Sequence, residues 1–534
     1  MSQIIRSDKS STVSVADYAG LRAYNGNKKV AYVTGYLGTA APQGIVGHFQ
    51  RDDTDKASAD NGGTIIVAAN GVRWKRAASG PVIPQYWGAK GDGSDDYIPL
   101  NAMYATGLPW SLPYTPTGYG HSATLTISAN GTCDGGFLVP TAAIGGAEND
   151  IDKFAVIIAS AGYAVKRRIV GLKVQGSVPL RTALVKGIRV DCPNAHLINC
   201  DTPQFDYGIV VRTYSVKLTN CNAWQCNTNL SAYAPSLTSE INALTIDGGN
   251  YDSPVLYSAN IGDLRWSDAL PAGTQHGVVI NLVNGANFDG GEIKIDNVST
   301  VNIEGIYNET SATDTLIRLG GSGDGNCRNV RIRGNYLKTA KYSVRCDSGV
   351  EQLSVRRNFL SNVSVNALFL TTELYPPDYV PGVSVGCFTI GQEVRLAFGS
   401  IPLANVRFDG FTLEHENLRN GIQDCMGTPA KWYPGGSVRN ANNRTINISS
   451  SAGAFYTAPA INKAGTVAGN VFTFTTPADA RAFNGGDRIV TVPAGATYVR
   501  SVDYEAGTML IDGGATANGA ATVSQSQVQT QAAA

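Results

Sequence analysis

The chain has 534 residues, with 42 Lys plus Arg balanced by 42 Asp plus Glu, and so carries no formal net charge. A neutral chain has no overall field that concentrates nucleic acid or an anionic membrane, which excludes partners bound by bulk charge. Charged residues make up 16% of the chain and glycine contributes 60 residues, while Asn, Thr, Val and Ile recur throughout. That composition favours strands and tight turns, so we predict an all-β protein of several domains.

We expect no membrane insertion, because no apolar run approaches the ~18 residues that cross a bilayer. The polar start, residues 1–15, does not predict a signal peptide. The nine cysteines are scattered, without CxxC pairs or the Cys/His spacing of a zinc site. They predict reduced, mostly buried thiols, and neither a metal site nor a cofactor is indicated.

The first element in chain order is a compact β module at residues 1–85, where short apolar runs alternate with Gly and Asn-Gly turns. Residues 81–84 predict a stiff connector, which leads into the string Gly88-Ala89-Lys90-Gly91-Asp92-Gly93-Ser94-Asp95-Asp96. This string lacks the order of a phosphate-binding loop, because Lys90 precedes Gly91 and no hydroxyl group follows it. We predict a turn here, and an entry segment over 86–150 that caps the next domain.

Together with Gly47-His48-Phe49-Gln50 and residues 60–67, the string resembles the start of bacteriophage tailspikes of the pectate-lyase-like superfamily. The resemblance covers residues 20–100. It implies an N-terminal module that attaches to phage tail or baseplate proteins, followed by a right-handed single-stranded parallel β-helix. It also implies a homotrimer that is assembled in the host cytoplasm and becomes part of the virion. This trimer would recognise and depolymerise a bacterial capsule or O-antigen.

A repeat over residues 151–438 predicts a solenoid independently of that resemblance. Short strands recur there, with central apolar residues at positions 198, 218, 246, 303, 332, 355 and 408. Most steps are 20 to 29 residues, which suits stacked coils, and two steps are about twice as long. We place the coil hidden in the longest step through Asp289, and we predict projecting loops at 252–275 and 371–386.

The repeat ends before residue 439, and Gly/Ala/Thr-rich strands follow to residue 534. They predict a separate β-sandwich-like domain for trimerisation or glycan binding. The predicted fold is therefore all-β, with a small N-terminal module, a parallel β-helix and this C-terminal domain.

The candidate catalytic residues come from stacking the coils. Equivalent residues of successive coils lie about 4.8 Å apart, so the polar residue after each central apolar residue forms a column on the outer face. The column reads Asn199, Thr219, Asp247, Asp289, Glu304, Arg333, Arg356 and Asp409. Glycoside cleavage needs a proton donor and a second carboxylate, and crowded like charges raise one carboxyl pKa. We predict Asp247 and Glu304 as this pair, with Asp289 and Glu292 as substitutes if the register differs; a solvated ladder of ion pairs is the alternative.

Polar and aromatic residues near the column are the candidate substrate ligands. Arginine binds acidic groups or hydroxyls, and aromatic rings cover the C–H faces of sugars; core packing is the alternative role. The candidates are Arg333, Arg356, Tyr251, Trp266, Tyr307 and Tyr336. The predicted function is glycosidic hydrolysis of a surface polysaccharide. A non-cleaving receptor-binding spike, a polysaccharide lyase and a structural baseplate or fibre protein stay open.

Overall fold

A computed structural model divides the chain into two units, residues 1–383 and 384–534. The structure describes residues 12–36, 47–77, 80–146, 153–159, 166–235, 241–262, 277–309, 315–320, 327–347, 350–351, 353–370, 383–390, 394–397, 406–408, 411–413, 423–425, 438–439, 445–449, 462–482, 488–492, 495–511 and 519–525. None of the helices in these ranges is long and apolar enough to cross a membrane.

The N-terminal module is a five-stranded sheet in the order β1-β2-β3-β5-β4. Its elements are β1 Thr12–Val15, α1 Tyr18–Ala23, β2 Val30–Val33, β3 Gly47–Asp52, β4 Ile65–Val67 and β5 Arg73–Arg76. Tyr18, Phe49 and Trp74 are fully buried in its core, and the Arg76 guanidinium lies 3.9 Å from the ring centroid of Tyr86, which follows the connector. The predicted small β module is confirmed.

The glycine-rich string forms the predicted turn. A 3-10 helix at Pro84–Trp87 precedes the string, and helix α2, Tyr97–Ala105, follows it. The carboxylate of Asp96 accepts hydrogen bonds from the backbone N–H groups of Lys90 and Gly91, both at 2.8 Å. Pro99 lies in the first turn of α2, where its missing N–H costs no helical hydrogen bond.

Parallel strands then wind into a β-helix with three faces. Its strands are β6 Trp110–Pro113, β7 Tyr119–His121, β8 Leu125–Ile127, β9 Gly131–Asp134, β10 Leu138–Pro140, β11 Phe154–Ile158, β12 Arg167–Val170, β13 Lys186–Val190, β14 Ala195–Ile198, β15 Tyr207–Val211, β16 Lys217–Thr219, β17 Thr228–Ala232, β18 Leu244–Asp247, β19 Tyr257–Ile261, β20 Gly277–Val283, β21 Glu292–Ile295, β22 Val298–Glu304, β23 Tyr307–Glu309, β24 Thr315–Leu319, β25 Cys327–Arg328, β26 Val330–Arg333, β27 Tyr336–Cys346, β28 Val350–Glu351 and β29 Ser354–Leu370. Short helices lie at Ala142–Ile144 and, as α3, at Val178–Thr182.

Each face is a ladder of strands from successive coils. We call the ladder β8-β11-β13-β15-β17-β19-β21-β24 the first face and the ladder β9-β12-β14-β16-β18-β20-β22-β26 the second face. The third face is a run of single bridges through Asp201, Asn222, Asn250 and Asn287 that continues into β23. Strands β27 and β29 turn the corners and extend these faces. The parallel stacking already begins at Trp110, ahead of the boundary at 151 predicted from the repeat.

The observed register corrects two positions of the predicted column. On the second face, Ile198, Thr219, Asp247, Val283, Glu304, Arg333 and Arg356 are consecutive partners. Ile198 therefore takes the place predicted for Asn199, and Val283 takes the place predicted for Asp289. The hidden coil passes through Leu282, and Asp289 lies farther along the same coil on the third face. The registers of Thr219, Asp247, Glu304, Arg333 and Arg356 are as predicted, and Asp409 lies outside the described residues.

A left-handed turn residue follows the second-face column in coil after coil. These residues have φ between +50° and +70° and are Gly171, Asn199, Asn220, Gly248, Asn284, Gly305, Gly334 and Arg357. Asn and Gly tolerate this conformation best, which explains why Gly and Asn mark the repeat. The prediction was one residue off at Asn199, because Asn199 is itself the turn residue and Ile198 occupies the column position.

Apolar columns fill the interior of the β-helix. Ile246, Leu282, Ile303 and Ile332 stack in one of them, and all are fully buried. The cysteines of the described coils are free and almost all are buried, as predicted.

The second unit contains two kinds of β-structure. Its first strands are β30 Val383–Ile390, β31 Val394–Ala397, β32 Val406–Phe408, β33 Phe411–Leu413, β34 Gln423–Cys425, β35 Val438–Arg439 and β36 Thr445–Ser449. The last six are β37 Asn462–Ala468, β38 Val471–Phe474, β39 Arg488–Val492, β40 Gly495–Asp503, β41 Thr508–Ile511 and β42 Gly519–Gln525, with a 3-10 helix at Pro477–Ala482. These six antiparallel strands close into a barrel around Phe472, Phe474 and Met509. An antiparallel C-terminal β domain is thus present, and it is a closed barrel that begins at Asn462 rather than the sandwich-like domain predicted from residue 439. Parallel pairing still joins β31 and β36 beyond that predicted boundary.

Two glycines of the turns test the coil geometry. Gly249 has φ of +95°, and a Cβ atom there would lie 2.0 Å from the backbone oxygen of Cys221, whereas Gly305 has φ of +67° and open space around it. We expect Gly249→Ala to destabilise the protein by more than about 2 kcal/mol, and Gly305→Asn to change its stability by less than about 1 kcal/mol. Thermal unfolding of both variants measures the difference. Equal stability of the two variants would contradict this account of the coils.

Candidate active site

The predicted pair Asp247 and Glu304 lies on one face, two coils apart. Val283 of the intervening coil separates them, so their backbones are about 9–10 Å apart. The Asp247 carboxylate contacts Lys217 Nζ at 2.6 Å and accepts a hydrogen bond from Asn284 Nδ2 at 2.8 Å. These contacts hold the pKa of Asp247 below its usual value. Asp247 is thus a paired carboxylate, without the raised pKa that the crowding argument predicts.

Glu304 is also paired with a cation. Its Oε2 atom lies 2.8 Å from Arg333 Nη2, and about half of each side chain is exposed. Arg333 therefore contacts the predicted catalytic residue directly. Arg356 is the next partner along the column, and its side chain lies outside what the structure describes. On this face, Asp247 and Glu304 each pair with a cation. These contacts fit the alternative of a solvated ladder of ion pairs better than they fit a catalytic acid and base.

The candidate aromatic residues fall into two groups. Tyr251 is fully buried and stacks on Phe288 with ring centroids 5.1 Å apart; the prediction that it contacts substrate is therefore wrong, because a core ring cannot reach a polymer. Tyr307, Tyr336 and Phe359 form a half-buried stack along the third face, at 5.1 and 4.6 Å. Their faces cover one another, and the Tyr307 hydroxyl donates a hydrogen bond to Glu309, which leaves ring edges and the Tyr336 hydroxyl for a ligand. Trp266 lies outside the described residues.

Asp289 belongs to an acidic cluster on the third face. Asn250, Asn287 and Tyr307 pair in parallel in successive coils, which puts Asp252, Asp289 and Glu309, each two residues farther on, in one column. Burial, and then the charges of Asp252 and Glu309, raises the pKa of Asp289. Glu309 is held by Tyr307 and, at 2.9 Å, by Lys338, and its pKa is lowered.

Glu292 begins strand β21 on the first face. Ile293 and Ile295 of this strand are fully buried in the core, so the alternation of a strand turns Glu292, Lys294 and Asp296 to the outer side. Glu292 is nevertheless only 5% exposed. The pKa of Glu292 is raised to about 7, chiefly by burial and to a lesser extent by the charge of Asp347. Arg318 and Lys294 act in the opposite direction. With this pKa, Glu292 is about half protonated near neutral pH.

Arg318 joins Glu292 to a second carboxylate. Its Nε atom lies 2.8 Å from Glu292 Oε1 and 3.6 Å from Asp347 Oδ2. Because both oxygens contact one nitrogen, they can be no farther apart than the sum of these distances, 6.4 Å. The pair therefore combines an acid of raised pKa with a carboxylate oxygen no more than 6.4 Å away, and this limit includes the spacing of about 5 Å that retaining glycoside cleavage uses.

Two further ion pairs and two aromatic rings surround this site. Lys294 Nζ lies 3.2 Å from Asp296, and Arg345 Nε lies 2.5 Å from Asp347. The half-buried rings of Tyr257 and Tyr342 have their centroids 6.0 Å from Lys294 Nζ and 5.7 Å from Arg345 Cζ, respectively. The site is therefore lined by charged groups and two aromatic rings.

Sequence reasoning found Glu292 but missed Arg318 and Asp347. The parallel register places Lys294, Arg318 and Arg345 in one column, and Asp347 two residues beyond Arg345. The available signal was the spacing of Lys294 and Arg345, each of which precedes an aspartate by two residues. It lies on the first face, whereas the apolar repeat follows the second. Among the described residues, no group of three or more His, Cys, Asp and Glu side chains is placed to hold a metal ion.

Residues 14–79 match the family model described as the phage tail protein small four-stranded beta-sheet domain. That range contains strands β2 to β5 of the N-terminal module. Residues 14–79 are therefore similar to a domain of phage tail proteins. The resemblance to phage tail proteins that the sequence indicated is thereby confirmed for this module.

Three solved structures are similar to the chain at low identity. The tailspike protein gp49 from the Acinetobacter baumannii bacteriophage Fri1, a capsular polysaccharide depolymerase, is 14% identical, with 96% of this chain and 97% of that chain covered and a TM-score of 0.45. Pantoea stewartii WceF, a glycan biofilm modifying enzyme with a tailspike-like parallel β-helix fold, is 9% identical, with 98% and 74% covered and a TM-score of 0.41. PfbA, a surface adhesin of Streptococcus pneumoniae, is 10% identical, with 69% and 100% covered and a TM-score of 0.45. No curated protein sequence matches the chain.

The raised pKa of Glu292 predicts a cost to stability that depends on pH. Below pH 4.5 this glutamate is protonated in both the folded and the unfolded chain. Above about pH 7 it is ionised in both, and burial of the charge destabilises the folded state alone. At pH values above 7 we expect Glu292→Gln to increase the free energy of unfolding by at most about 3 kcal/mol, which is measured as a higher thermal midpoint. Below pH 4.5 we expect the two proteins to have the same thermal midpoint.

Asp247→Asn is the matched control, with the opposite sign. Because the pKa of Asp247 is lowered in the folded state, its carboxylate contributes stability at neutral pH that is lost as the pH falls through its folded pKa. The variant should therefore be less stable than wild type at neutral pH and equal to it in acid. A Glu292→Gln protein that is destabilised in the same way would overturn the assignment of Glu292 as a strained acid.

Proposed function

We propose that the chain is a phage tailspike that binds a bacterial surface polysaccharide and cleaves it by glycosidic hydrolysis on the first face of its β-helix. The observation that carries the proposal is Glu292, a buried acid with a pKa of about 7 whose carboxyl oxygen lies within 6.4 Å of that of Asp347. The phage tail domain at residues 14–79 supports the location of the protein in the virion.

In this mechanism Glu292 donates its proton to the oxygen of the leaving sugar. Asp347, whose Oδ2 atom also contacts Arg318, attacks the anomeric carbon, and Glu292 then takes a proton from the water that releases the product. Arg318 contacts both carboxylates and keeps their spacing. Tyr257, half-buried beside Lys294, offers an aromatic edge to the sugar.

The proposal also covers attachment to the virion, oligomeric state and place of assembly. The N-terminal module attaches the spike to tail or baseplate proteins, and the chain forms a homotrimer that is assembled in the host cytoplasm. Trimerisation has a physical basis, because partner chains would cover the long faces of an isolated β-helix.

Two other functions on this scaffold have different products. A non-cleaving receptor-binding spike would retain the polysaccharide without reducing its size. A polysaccharide lyase would leave a double bond in the product, which absorbs ultraviolet light. Hydrolysis releases a new reducing end without that absorbance.

Substitution of either carboxylate tests the site. We expect Glu292→Gln and Asp347→Asn each to lower kcat/KM for polysaccharide cleavage by about 10²-fold or more, because each removes a group that acts on the reacting bond. Reducing-end release from purified capsules and O-antigens, with size analysis of the polymer, measures this loss. Full activity in both variants, with loss of activity in Asp247→Asn and Glu304→Gln, would move the active site to the second face.

The pH dependence of cleavage follows from the acid. Because Glu292 acts only when protonated, kcat/KM of the wild type should fall as the pH rises through about 7. A profile of kcat/KM against pH measures the descending limb. Activity that stays constant up to pH 9 would exclude Glu292 as the proton donor.

The short carboxylate spacing predicts the stereochemistry of the reaction. Separations of about 5 Å suit retention of the anomeric configuration, whereas inversion needs about 6.5 to 9.5 Å to admit a water molecule. Since the two oxygens are within 6.4 Å, we expect retention. Proton NMR of the first products, before they mutarotate, reads the configuration; an inverted product would contradict Asp347 as the nucleophile.

A further inference from the structure

The charges of the first face form three pairs around the proposed active site. Lys294 pairs with Asp296 at 3.2 Å, and Arg345 pairs with Asp347 at 2.5 Å. Arg318 has Glu292 as its nearest carboxylate, at 2.8 Å, and reaches Asp347 at 3.6 Å. Because Asp347 is already held by Arg345, Arg318 depends on Glu292 for its counter-charge.

Catalysis removes that counter-charge. A general acid must carry its proton in order to donate it, and a protonated Glu292 is neutral. Arg318 then faces one shared carboxylate in a site that is largely removed from water, where an unbalanced charge is costly.

Arg318 also has hydrogen-bonding capacity left over. Its Nε atom is buried and makes no hydrogen bond of acceptable geometry within the described chain, and the same holds for Glu292 Oε1. About a quarter of the Arg318 side chain is exposed. A guanidinium group presents a planar fork of N–H donors that matches the two oxygens of a carboxylate.

We infer that the polysaccharide carries a carboxylate, as a uronic acid or a pyruvate ketal, on a sugar beside the cleaved bond, and that Arg318 binds it. This inference rests on the proposed function and adds the chemical class of the substrate. The substrate carboxylate replaces the charge that Glu292 gives up on protonation. Arg318 is therefore a specificity-determining residue.

The test compares one polymer with and without its carboxylates. Purified bacterial capsular polysaccharides are used in native form and after carbodiimide activation and borohydride reduction, which converts each carboxyl group into a neutral alcohol. Cleavage is followed by reducing-end release at a pH well below the pKa of Glu292, so that the acid is protonated throughout. We expect the wild type to cleave a carboxylated polymer, and its kcat/KM to fall by about 10- to 100-fold on the reduced polymer.

Variants of Arg318 complete the comparison. Arg318→Met should lose about the same factor on the native polymer and little on the reduced polymer, because the partner of the guanidinium is already absent there. Arg318→Lys keeps the charge without the fork and should fall between wild type and Arg318→Met. Arg22→Met is the matched control: Arg22 forms an arginine–carboxylate pair with Asp60 at 2.9 Å in the N-terminal module, far along the chain from the site, and its loss should not change either rate. Thermal unfolding confirms that each variant is folded.

The outcomes separate this inference from the proposed function. Equal cleavage of native and reduced polymers, or cleavage of neutral polymers alone, would overturn the carboxylate and leave the hydrolase in place. A polymer that loses cleavage only when its phosphate groups are removed would also overturn it. Cleavage of none of the polymers by the wild type would overturn the proposed function, and the inference with it.

Discussion

Parallel backbone pairing holds equivalent residues of successive coils about 4.8 Å apart. Every side-chain column of the β-helix depends on the register of that pairing, which shifts at bulges between Tyr257 and Ala259 and between Ala340 and Tyr342. The turn residues with positive φ after each second-face strand keep that register. Because of this pairing, Glu292 and Asp347, which are distant in the sequence, contact the same guanidinium group. A slip of one residue in any coil between them would turn one of them toward the core.

Burial decides which of the stacked carboxylates can act as an acid. Asp247, Glu304 and Glu292 each face a cation at 2.6 to 2.8 Å. Contacts to Lys217 and Asn284 dominate at Asp247, and its pKa is lowered. At Glu292 the loss of water outweighs the attraction of Arg318 and Lys294, and the pKa rises. The same kind of ion pair therefore gives a structural link on one face and a proton donor on another.

The sequence was sufficient to predict the fold and much of one column. Asp247, Glu304 and Arg333 align as predicted because their coils repeat the same apolar marker. Asp289 was misplaced because the step from Asp247 to Val283 is longer than its neighbours, and a variable loop length leaves no period to follow. Asp347 could not be found from that marker, since its partnership with Glu292 depends on the register of the first face. The burial of Tyr251 and Glu292 depends on how side chains of several coils pack, and an alignment of the sequence repeats does not show this packing.

A crystal structure of the Glu292→Gln protein with a bound fragment of a cleavable polysaccharide tests the central claim most directly. The account predicts a sugar chain on the first face, with its glycosidic oxygen within hydrogen-bonding distance of the side chain at position 292 and its anomeric carbon facing Asp347. A fragment bound across Asp247 and Glu304, or beside Asp289 and Glu309, with no contact to position 292, would contradict it.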